Sequence, residues 1–281
     1  MTLVNAQHAA ARAFEAAGID DALLEAEILL RHVLHLDRAA FFAELNRPIR
    51  KEEAEAYDQL VARRLAREPS AYITGHREFF ALDFQVTPDA LIPRPETELL
   101  VEATLARIAR EDAPLVVDVG VGCGAIAVAT AANQPNVMVI ATDISVPALA
   151  LTRANARLHN VDSRVAGVQA DLLAGFRGRF DVIVTNLPYV RTSDWKTLAP
   201  EIREHEPRLA LDGGPDGLFL IKRLLDRVAA PFVEEGAEVY AEIGDAQGAE
   251  TIAHARTAMP WADVAVRQDL AGRDRMLVVK R

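Results

Sequence analysis

The sequence contains a single cysteine, Cys123, and no run of apolar residues long enough to cross a membrane. One cysteine cannot form a disulfide within the chain, which is usual for proteins of the reducing cytoplasm. A spanning helix needs roughly 18 or more consecutive apolar residues. The first residues also lack the basic head and apolar stretch of a secretory signal. We therefore expect a cytoplasmic protein that has no membrane partner.

Basic charge is also scarce, with 31 Lys and Arg residues against 41 Asp and Glu residues and a net charge of -10. The shortage is general, because residues 1–75 carry 9 basic and 12 acidic residues and the remainder carries 22 and 29. A protein that binds nucleic acid through its phosphates normally presents a basic surface. The composition therefore argues against direct nucleic-acid binding.

Glycine is almost absent from residues 1–70, where Gly18 is the only one. Apolar residues recur there at helical spacing, most clearly over residues 23–34, and runs of β-branched residues are missing. Asp20 or Asp21 is expected to cap the helix that contains this segment. The pattern predicts a small helical bundle over the first 70 residues.

Residues 71–93 are expected to form a linker between the bundle and the rest of the chain. Residues 72–75 are typical of a turn and residues 78–86 of a β-hairpin. Two prolines stiffen the segment that follows, residues 91–98, and Pro95 is well placed to begin a helix.

From residue 94 to residue 281, strand patterns alternate with helix patterns. The predicted strands are residues 115–119, 137–142, 164–169, 180–185 and 237–243, with a final antiparallel pair at residues 262–266 and 275–280. Alternation at this spacing predicts an α/β fold, in which helices cover both faces of a mostly parallel sheet. The expected architecture is a Rossmann-like domain over residues 94–281, preceded by the helical bundle and the hairpin linker.

A glycine-rich loop, Gly120-Val121-Gly122-Cys123-Gly124, follows the first predicted strand of this domain. Glycines let the backbone turn sharply and approach a ligand where a Cβ atom would collide. Asp143 ends the next strand about 20 residues later, where a carboxylate can accept hydrogen bonds from the hydroxyls of a ribose. Asp171 follows the third strand and is positioned to accept from an adenine amino group.

The same loop, continued by Ala125, also satisfies the fingerprint of a nicotinamide dinucleotide site. Asp118 opposes that alternative, because its negative charge in the preceding strand would face a pyrophosphate. The acidic residues Asp118, Asp143 and Asp171 instead suit a nucleoside that carries a cationic sulfonium. A methyl donor of this kind is therefore favoured, and Cys123 is interpreted as a small residue in a tight loop.

Four residues, Asn186-Leu187-Pro188-Tyr189, follow the predicted strand at 180–185 and are typical of enzymes that methylate a planar, conjugated nitrogen. An amide nitrogen is a weak nucleophile, because it shares its lone pair with the carbonyl group. The side-chain oxygen of Asn186 and the backbone oxygen of Leu187 can accept its two hydrogens and draw it toward a tetrahedral geometry. Pro188 stiffens the turn, and Tyr189 offers a face for stacking. Without the glycine loop, the tetrad would fit an ordinary Asn turn.

These features together resemble the HemK/PrmC family, the peptide-chain release factor glutamine methyltransferases, over nearly the whole chain. The loop and the tetrad occur in many methyltransferases. Two segments are more specific to the family, Ile-Pro-Arg-Pro-Glu-Thr-Glu at residues 92–98 and Glu-Pro-Arg-Leu-Ala-Leu at residues 206–211. The second is followed by glycines at positions 213, 214 and 217, and further similarity lies at residues 70–75 and 269–275.

The resemblance implies S-adenosylmethionine as the methyl donor and S-adenosylhomocysteine as the product, and no metal is expected. It also implies that class 1 release factors are the substrate, through the glutamine of their Gly-Gly-Gln loop, and that the helical domain docks the factor. Carried over by position, residues 120–124, Asp143, Asp171 or Leu172, and Asn186 would hold the cofactor. Residues Asn186 to Tyr189 would hold the glutamine amide.

One position departs from the family pattern, since the tetrad commonly has two prolines and Leu187 replaces the first. The backbone carbonyl is retained, although the turn loses some stiffness. The string Asn-Leu-Pro-Tyr is also typical of ribosomal RNA adenine dimethylases, which lack the Arg-Pro-Glu-Thr-Glu segment and usually have a basic surface. A ribosomal RNA adenine methyltransferase is therefore the alternative enzyme. A non-catalytic adaptor that binds a translation factor is a third hypothesis, which the intact loop and tetrad oppose.

Overall fold

The computed structural model describes residues 1–228, 232 and 237–281, and the chain divides into two compact units. The helical unit comprises Met1–His76 and Ala199–His205, and the sheet unit comprises Arg77–Leu198 and Glu206–Arg281. The sequence pattern did not predict that residues 199–205 belong with the N-terminal helices.

The helical unit is a bundle around a core of large apolar side chains. Its helices are α1 (Leu3–Ala16), α2 (Ala22–Leu34), α3 (Arg38–Ala43), α4 (Lys51–Leu65), α5 (Ser70–Thr74) and α9 (Pro200–His205). Phe14, Leu29 and Phe41 are completely buried in that core. The Tyr57 hydroxyl on α4 donates a hydrogen bond to the backbone oxygen of Ala26 on α2 at 3.0 Å, so the buried ring also has a polar partner.

Two local predictions in this unit were wrong. Residues 70–74 form the short helix α5 instead of a turn, and that helix ends at Gly75, whose positive φ of 78° suits a glycine. Asp21 does occupy the N-cap position of α2, but its side chain makes no capping hydrogen bond. A capping side chain normally reaches the first turn from an extended backbone, whereas Asp21 is left-handed with φ of 51°.

Two arginines connect α9 to the helical unit, one on α4 and one just after the C-terminal end of α4. Arg64 is buried and donates hydrogen bonds to Glu25 on α2 at 2.6 Å and to Glu201 on α9 at 3.1 Å. Arg67 donates to the same Glu201 oxygen at 3.0 Å. Burial opposes ionisation of Glu201, but the hydrogen bonds it accepts lower its pKa below the usual value. The carboxylate of α9 is therefore held in its charged form by two arginines.

The described strands of the sheet unit form a two-stranded hairpin and a seven-stranded sheet. The hairpin pairs β1 (His76–Phe79) with β2 (Leu82–Gln85). The sheet contains β3 (Leu115–Val119), β4 (Met138–Asp143), β5 (Val165–Gln169), β6 (Val182–Thr185), β7 (Glu238–Glu242), β8 (Asp263–Gln268) and β9 (Asp274–Lys280). Its order is β5-β4-β3-β6-β7-β9-β8, and β9 runs antiparallel to both of its neighbours. The predicted fold class is confirmed, and the strand bounds agree with the prediction to within two residues.

Helices of the sheet unit follow the strands in alternation. They are α6 (Glu98–Ile108), α7 (Ala125–Asn133), α8 (Val146–Leu158), α10 (Phe219–Val228) and α11 (Gly248–Ala258). Pro95 begins a 3-10 turn, Pro95–Thr97, that leads directly into α6. Within the part of the chain that the structure describes, no helix is both long and apolar enough to span a membrane.

One row of residues lies across the carboxyl ends of the four central strands, and we call it the terminal row. Its paired members are Val119, Thr142, Thr185 and Ala241. The next residues along each chain segment are Gly120, Asp143, Asn186 and Glu242. Because these strands are parallel and in register, the four segments reach the edge of the sheet at the same level. The glycine loop, the ribose-binding candidate and the tetrad therefore begin side by side.

The acidic side chain of Glu53 gives the helical unit a testable pH dependence. It is buried and accepts hydrogen bonds from Arg47 at 3.0 Å and from the side chain and backbone nitrogen of Arg50 at 2.7 and 2.9 Å. Burial alone would raise its pKa, but these bonds outweigh burial and lower the pKa from 4.5 to about 2. The carboxylate therefore stabilises the fold fully above pH 4.5, and this contribution disappears as the pH falls toward 2.

We expect Glu53→Gln to lower the melting temperature above pH 4.5 and the gap from wild type to shrink as the pH falls toward 2. Thermal melts of the full chain at a series of pH values measure this gap. Glu55→Gln is the matched control, since Glu55 lies on the same helix with a carboxylate that is 63% exposed. A gap that stays constant with pH would contradict the role assigned to Glu53.

Candidate functional site

A cavity of about 270 Å³ opens at the terminal row, within the sheet unit. Ten of the twelve predicted site residues line it: Gly120, Val121, Gly122, Cys123, Asp143, Asp171, Leu172, Asn186, Leu187 and Pro188. The two others, Gly124 and Tyr189, are not in its wall. The glycine loop and the tetrad therefore line the same cavity.

The glycine loop adopts backbone conformations that require glycine. Gly120, Gly122 and Gly124 have φ angles of 75°, 57° and 89°, in the left-handed region. The backbone nitrogens of Gly120 and Val121 donate to the oxygen of Thr142 in the neighbouring strand at 2.8 and 2.9 Å. A Cβ on Gly124 would lie 3.0 Å from the Cγ2 atom of Thr152. Gly124 thus permits close packing on α8, while the other two glycines face the cavity.

Asp143 holds the loop and lines the cavity at the same time. One carboxylate oxygen accepts from the backbone nitrogen of Gly122 at 3.0 Å, and the other accepts from that of Ser145 at 2.8 Å. Each oxygen of an ionised carboxylate can accept more than one hydrogen bond. The side chain can therefore bind ligand hydroxyls without giving up either bond to the loop.

The neighbouring acid Asp118 has a different role from the one expected. It is only 1% exposed, accepts from the backbone nitrogen of Ala127 on α7 at 3.0 Å, and is absent from the cavity wall. Burial raises its pKa to about 7. Asp118 therefore does not face a ligand and does not discriminate between a sulfonium and a pyrophosphate.

Cys123 is buried in the loop, and burial raises the pKa of its thiol to about 12. The thiol is therefore protonated at neutral pH, and only a thiolate is a good nucleophile. This environment agrees with the interpretation of Cys123 as a small residue in a tight turn.

The cavity wall also contains Asp171 and a basic residue that was not predicted as a site residue. The Asp171 carboxylate accepts from the Arg223 guanidinium on α10 at 2.7 Å, and both residues line the cavity. The Arg223 side chain also lies over the ring of Phe219, 5.5 Å from its centre. Leu172, beside Asp171, is buried with a left-handed backbone, φ 54°. Nothing in the local sequence of α10 indicated that Arg223 would reach this wall.

The tetrad side chains belong to a hydrogen-bond network with two residues that were not predicted as site residues. The Asn186 amide nitrogen donates to the Thr97 hydroxyl at 3.1 Å, and that hydroxyl donates to Glu242 at 2.6 Å. The Tyr189 hydroxyl donates to the other oxygen of Glu242 at 3.1 Å. Tyr189 thus uses its hydroxyl to bind a buried acid, and the predicted stacking face is not part of the cavity wall.

A sequence signal for both missed residues existed. Thr97 lies in the Arg-Pro-Glu-Thr-Glu segment, and Glu242 ends a strand one residue after the terminal row, as Asp143 does. An acid at the carboxyl end of a buried parallel strand is a candidate site residue. Its partners depend on β7 lying beside β6, and the alternation of strands and helices does not give that order.

Leu187 connects the tetrad to the glycine loop. Its side chain is 4% exposed and belongs to the core of the sheet unit. Its Cδ2 atom lies 3.0 Å from the place where a Cβ of Gly120 would be. The side chain therefore packs on the bare backbone of the loop, and a larger residue at position 120 would displace it.

Two glycines that follow the second family segment pack against the backbone of the tetrad. A Cβ on Gly213 would lie 2.6 Å from the carbonyl oxygen of Pro188, and one on Gly217 would overlap that of Tyr189. The Gly213 nitrogen also donates to the oxygen of Val190 at 2.8 Å. Because backbone atoms fill the space, no side chain fits at either position. The backbone of residues 213–217 therefore packs directly against the backbone of the tetrad.

The two family-specific segments meet at the rim of the cavity. Glu206, which begins the second segment, is buried and accepts hydrogen bonds from the backbone nitrogen of Ile92 and from the Arg94 guanidinium. Pro93 and Arg94 from the first segment and Pro207 from the second line the cavity. A buried carboxylate paired with an arginine therefore fixes one segment against the other.

Comparisons with known proteins agree with this arrangement. Residues 5–75 match the PrmC N-terminal domain, and residues 95–214 match the methyltransferase small domain. A release factor glutamine methyltransferase of Moorella thermoacetica is 41% identical over 282 residues, covering 100% of this chain and 99% of the relative. That of Geobacter sulfurreducens is 42% identical over 92% of this chain and 90% of the relative. The solved N-terminal domain of human METTL16 in complex with SAH shares the fold, with 13% identity and a TM-score of 0.51 over 72% of this chain and 76% of that one.

Adding one methyl group at Gly213 tests the support behind the tetrad. We expect Gly213→Ala to lower the free energy of unfolding by about 1–3 kcal/mol, because the new Cβ overlaps two carbonyl oxygens. Chemical denaturation measures the change. Gly167→Ala is the matched control, since its new Cβ would meet only the Leu149 side chain, at an ordinary 3.6 Å. Equal stability of the two variants would show that the tetrad backbone can move away freely.

Proposed function

The chain belongs to the release factor glutamine methyltransferase family, and from this we propose that it transfers a methyl group from S-adenosylmethionine to the side-chain amide nitrogen of a release factor glutamine. It is an enzyme of the methyltransferase class that methylates glutamine in a protein. The observation that carries the specific proposal is the terminal row, which brings the loop and the tetrad to one cavity.

S-adenosylmethionine fits the loop side of the cavity. The left-handed glycines leave the backbone bare for close approach by the ligand, and Asp143 is available to the ribose hydroxyls. Asp171 and Leu172 border the region proposed for the adenine. The presence of SAH in the METTL16 domain, which shares the fold, supports the same class of ligand here.

The tetrad side of the cavity suits a primary amide. Among the described residues, none donates a hydrogen bond to the Asn186 side-chain oxygen or to the Leu187 backbone oxygen. These two acceptors can therefore take the two hydrogens of a glutamine amide and stabilise the positive charge that develops on its nitrogen during transfer. The enzyme then needs mainly to align that nitrogen with the methyl group. The extra proton leaves the nitrogen after transfer, so no strong base is required.

We assign the acceptor to the Gly-Gly-Gln loop of class 1 release factors, with the helical unit as the docking domain. The net charge of -10 supports a protein acceptor over ribosomal RNA, since an acidic enzyme repels a polyanion. A partner that acts in translation termination would place the enzyme in the cytoplasm.

The donor assignment predicts a specific effect of Asp143. We expect Asp143→Asn to weaken S-adenosylmethionine binding roughly 10-fold to 100-fold, because a hydrogen bond to a charged group contributes about 1.5–3 kcal/mol. Asparagine keeps one acceptor for the loop but replaces the other with a donor, so the melting temperature of the variant is measured alongside to establish that it folds. Isothermal titration calorimetry measures the affinity, and Asp162→Asn at an exposed position controls for net charge. Unchanged affinity in the folded variant would remove Asp143 from the site, and tight NADH binding would overturn the donor.

The acceptor assignment is tested with intact substrates. We expect labelled methyl groups to reach the glutamine of an intact class 1 release factor, with much poorer transfer to a short peptide that carries the same loop. Asn186→Ala should reduce turnover by about 100-fold or more, like the loss of one transition-state hydrogen bond, with little change in affinity for the factor. Mass spectrometry locates the methyl group. Label on adenine of ribosomal RNA, with the glutamine unmodified, would support the dimethylase alternative instead.

A further inference from the structure

The network behind the tetrad contains a buried acid that the proposed chemistry does not use directly. Glu242 is 2% exposed, and Thr97 is 3% exposed. Burial raises the pKa of Glu242, while the hydrogen bonds from Thr97 and Tyr189 oppose that effect. Glu242 is absent from the cavity wall, whereas Thr97 and Asn186 are part of it. Burying an acid at this depth costs desolvation free energy. The hydrogen bonds from its partners offset part of that cost, and those partners indicate the role of Glu242.

The number of hydrogens on each group sets the direction of the hydrogen bonds that run from Asn186 through Thr97 to Glu242. In its ionised form Glu242 can only accept hydrogen bonds, so the single hydrogen of the Thr97 hydroxyl, which lies 2.6 Å from a Glu242 oxygen, is donated to that oxygen. The Thr97 oxygen is then available only as an acceptor to its other neighbour, Asn186. The part of Asn186 that faces Thr97 must therefore be the NH₂ group, 3.1 Å away.

The same argument fixes the position of the side-chain oxygen of Asn186. With its NH₂ group on Thr97, Asn186 presents its side-chain oxygen away from Thr97. A primary amide that offers two hydrogens needs an acceptor, and a rotated Asn186 would present donors to it instead. Each amide orientation is sterically possible for an asparagine, because its oxygen and nitrogen are nearly the same size. The hydrogen-bond partner alone selects between them.

We infer that Thr97 and Glu242 are positioning residues that orient the Asn186 amide so that its oxygen accepts a hydrogen from the substrate nitrogen. Glu242 acts through Thr97, and its second oxygen binds the Tyr189 hydroxyl, which ties both ends of the tetrad to one carboxylate. This inference rests on the proposed function, since it assigns a role in amide methylation. It predicts that the Thr97 hydroxyl affects turnover and leaves donor binding unchanged.

The test compares threonine substitutions at two buried positions. Thr97→Val removes the hydroxyl while keeping the shape, and Thr97→Ser keeps the hydroxyl. Thr104→Val is the matched control, because Thr104 on α6 is completely buried and its hydroxyl has no hydrogen-bond partner among the described residues. The measurements are kcat and KM with an intact release factor, S-adenosylmethionine affinity by calorimetry, and the melting temperature of each variant.

We expect Thr97→Val to lower kcat by about 10-fold or more, since small misplacement of a reacting group is costly, and to leave donor affinity within about 2-fold. Thr97→Ser and Thr104→Val should retain kcat within about 3-fold of wild type. In an Asn186→Ala background, Thr97→Val should cause no further loss, because the group it orients is gone. Full kcat in folded Thr97→Val, or an equal further loss in the Asn186→Ala background, would overturn the inference.

A second readout does not depend on turnover. The side-chain NH₂ signals of Asn186 in a ¹H–¹⁵N spectrum, assigned by their loss in Asn186→Ala, should shift in Thr97→Val and stay in place in Thr104→Val. Unshifted signals in Thr97→Val would show that the bond to Thr97 does not exist. If wild type methylates no release factor, the proposed function fails, while these spectra still decide whether Thr97 holds Asn186. If wild type is active and Thr97→Val is equally active, only the positioning inference fails.

Discussion

The in-register parallel pairing of β4, β3, β6 and β7 is the constraint on which the site depends. Adjacent strands lie about 4.8 Å apart, so residues that leave the sheet from one row are close neighbours. Gly120, Asp143, Asn186 and Glu242 each follow a member of that row. The donor loop, the ribose acid, the amide acceptor and the buried acid are therefore positioned by backbone hydrogen bonds of the sheet. The loops that follow have only to complete the arrangement.

Close packing supplies the rigidity that the tetrad lacks in its own sequence. Leu187 occupies the position at which the resemblance described above led us to expect a proline, and its side chain is buried against the bare backbone of Gly120. Gly213 and Gly217 pack against the backbone of Pro188 and Tyr189 at distances that exclude any Cβ. A turn restricted by both contacts does not need a second proline ring.

Sequence patterns predicted most of the fold because they report local physics. The alternation of apolar runs marked each strand, and the left-handed glycines of the loop are recognisable from their spacing. The patterns did not give the strand order, so the contact between Glu242 and the tetrad could not be foreseen. Asp118 shows the reverse error: its position before the loop suggested a role at the ligand, yet its side chain turns toward the start of α7. Orientation of a strand residue depends on which face is covered, and that is a tertiary property.

Helix α9 completes the helical unit although it is encoded after six of the nine described strands. During synthesis, the N-terminal helices leave the ribosome well before the Glu201 carboxylate that Arg64 and Arg67 bind. Domains generally fold as units while the chain grows from its N-terminus. This unit cannot do so in full, because one of its helices waits for most of the sheet-forming sequence to be translated. Until residue 205 has emerged, the helices encoded before α9 lack it, and Arg64 and Arg67 lack the Glu201 carboxylate that they bind.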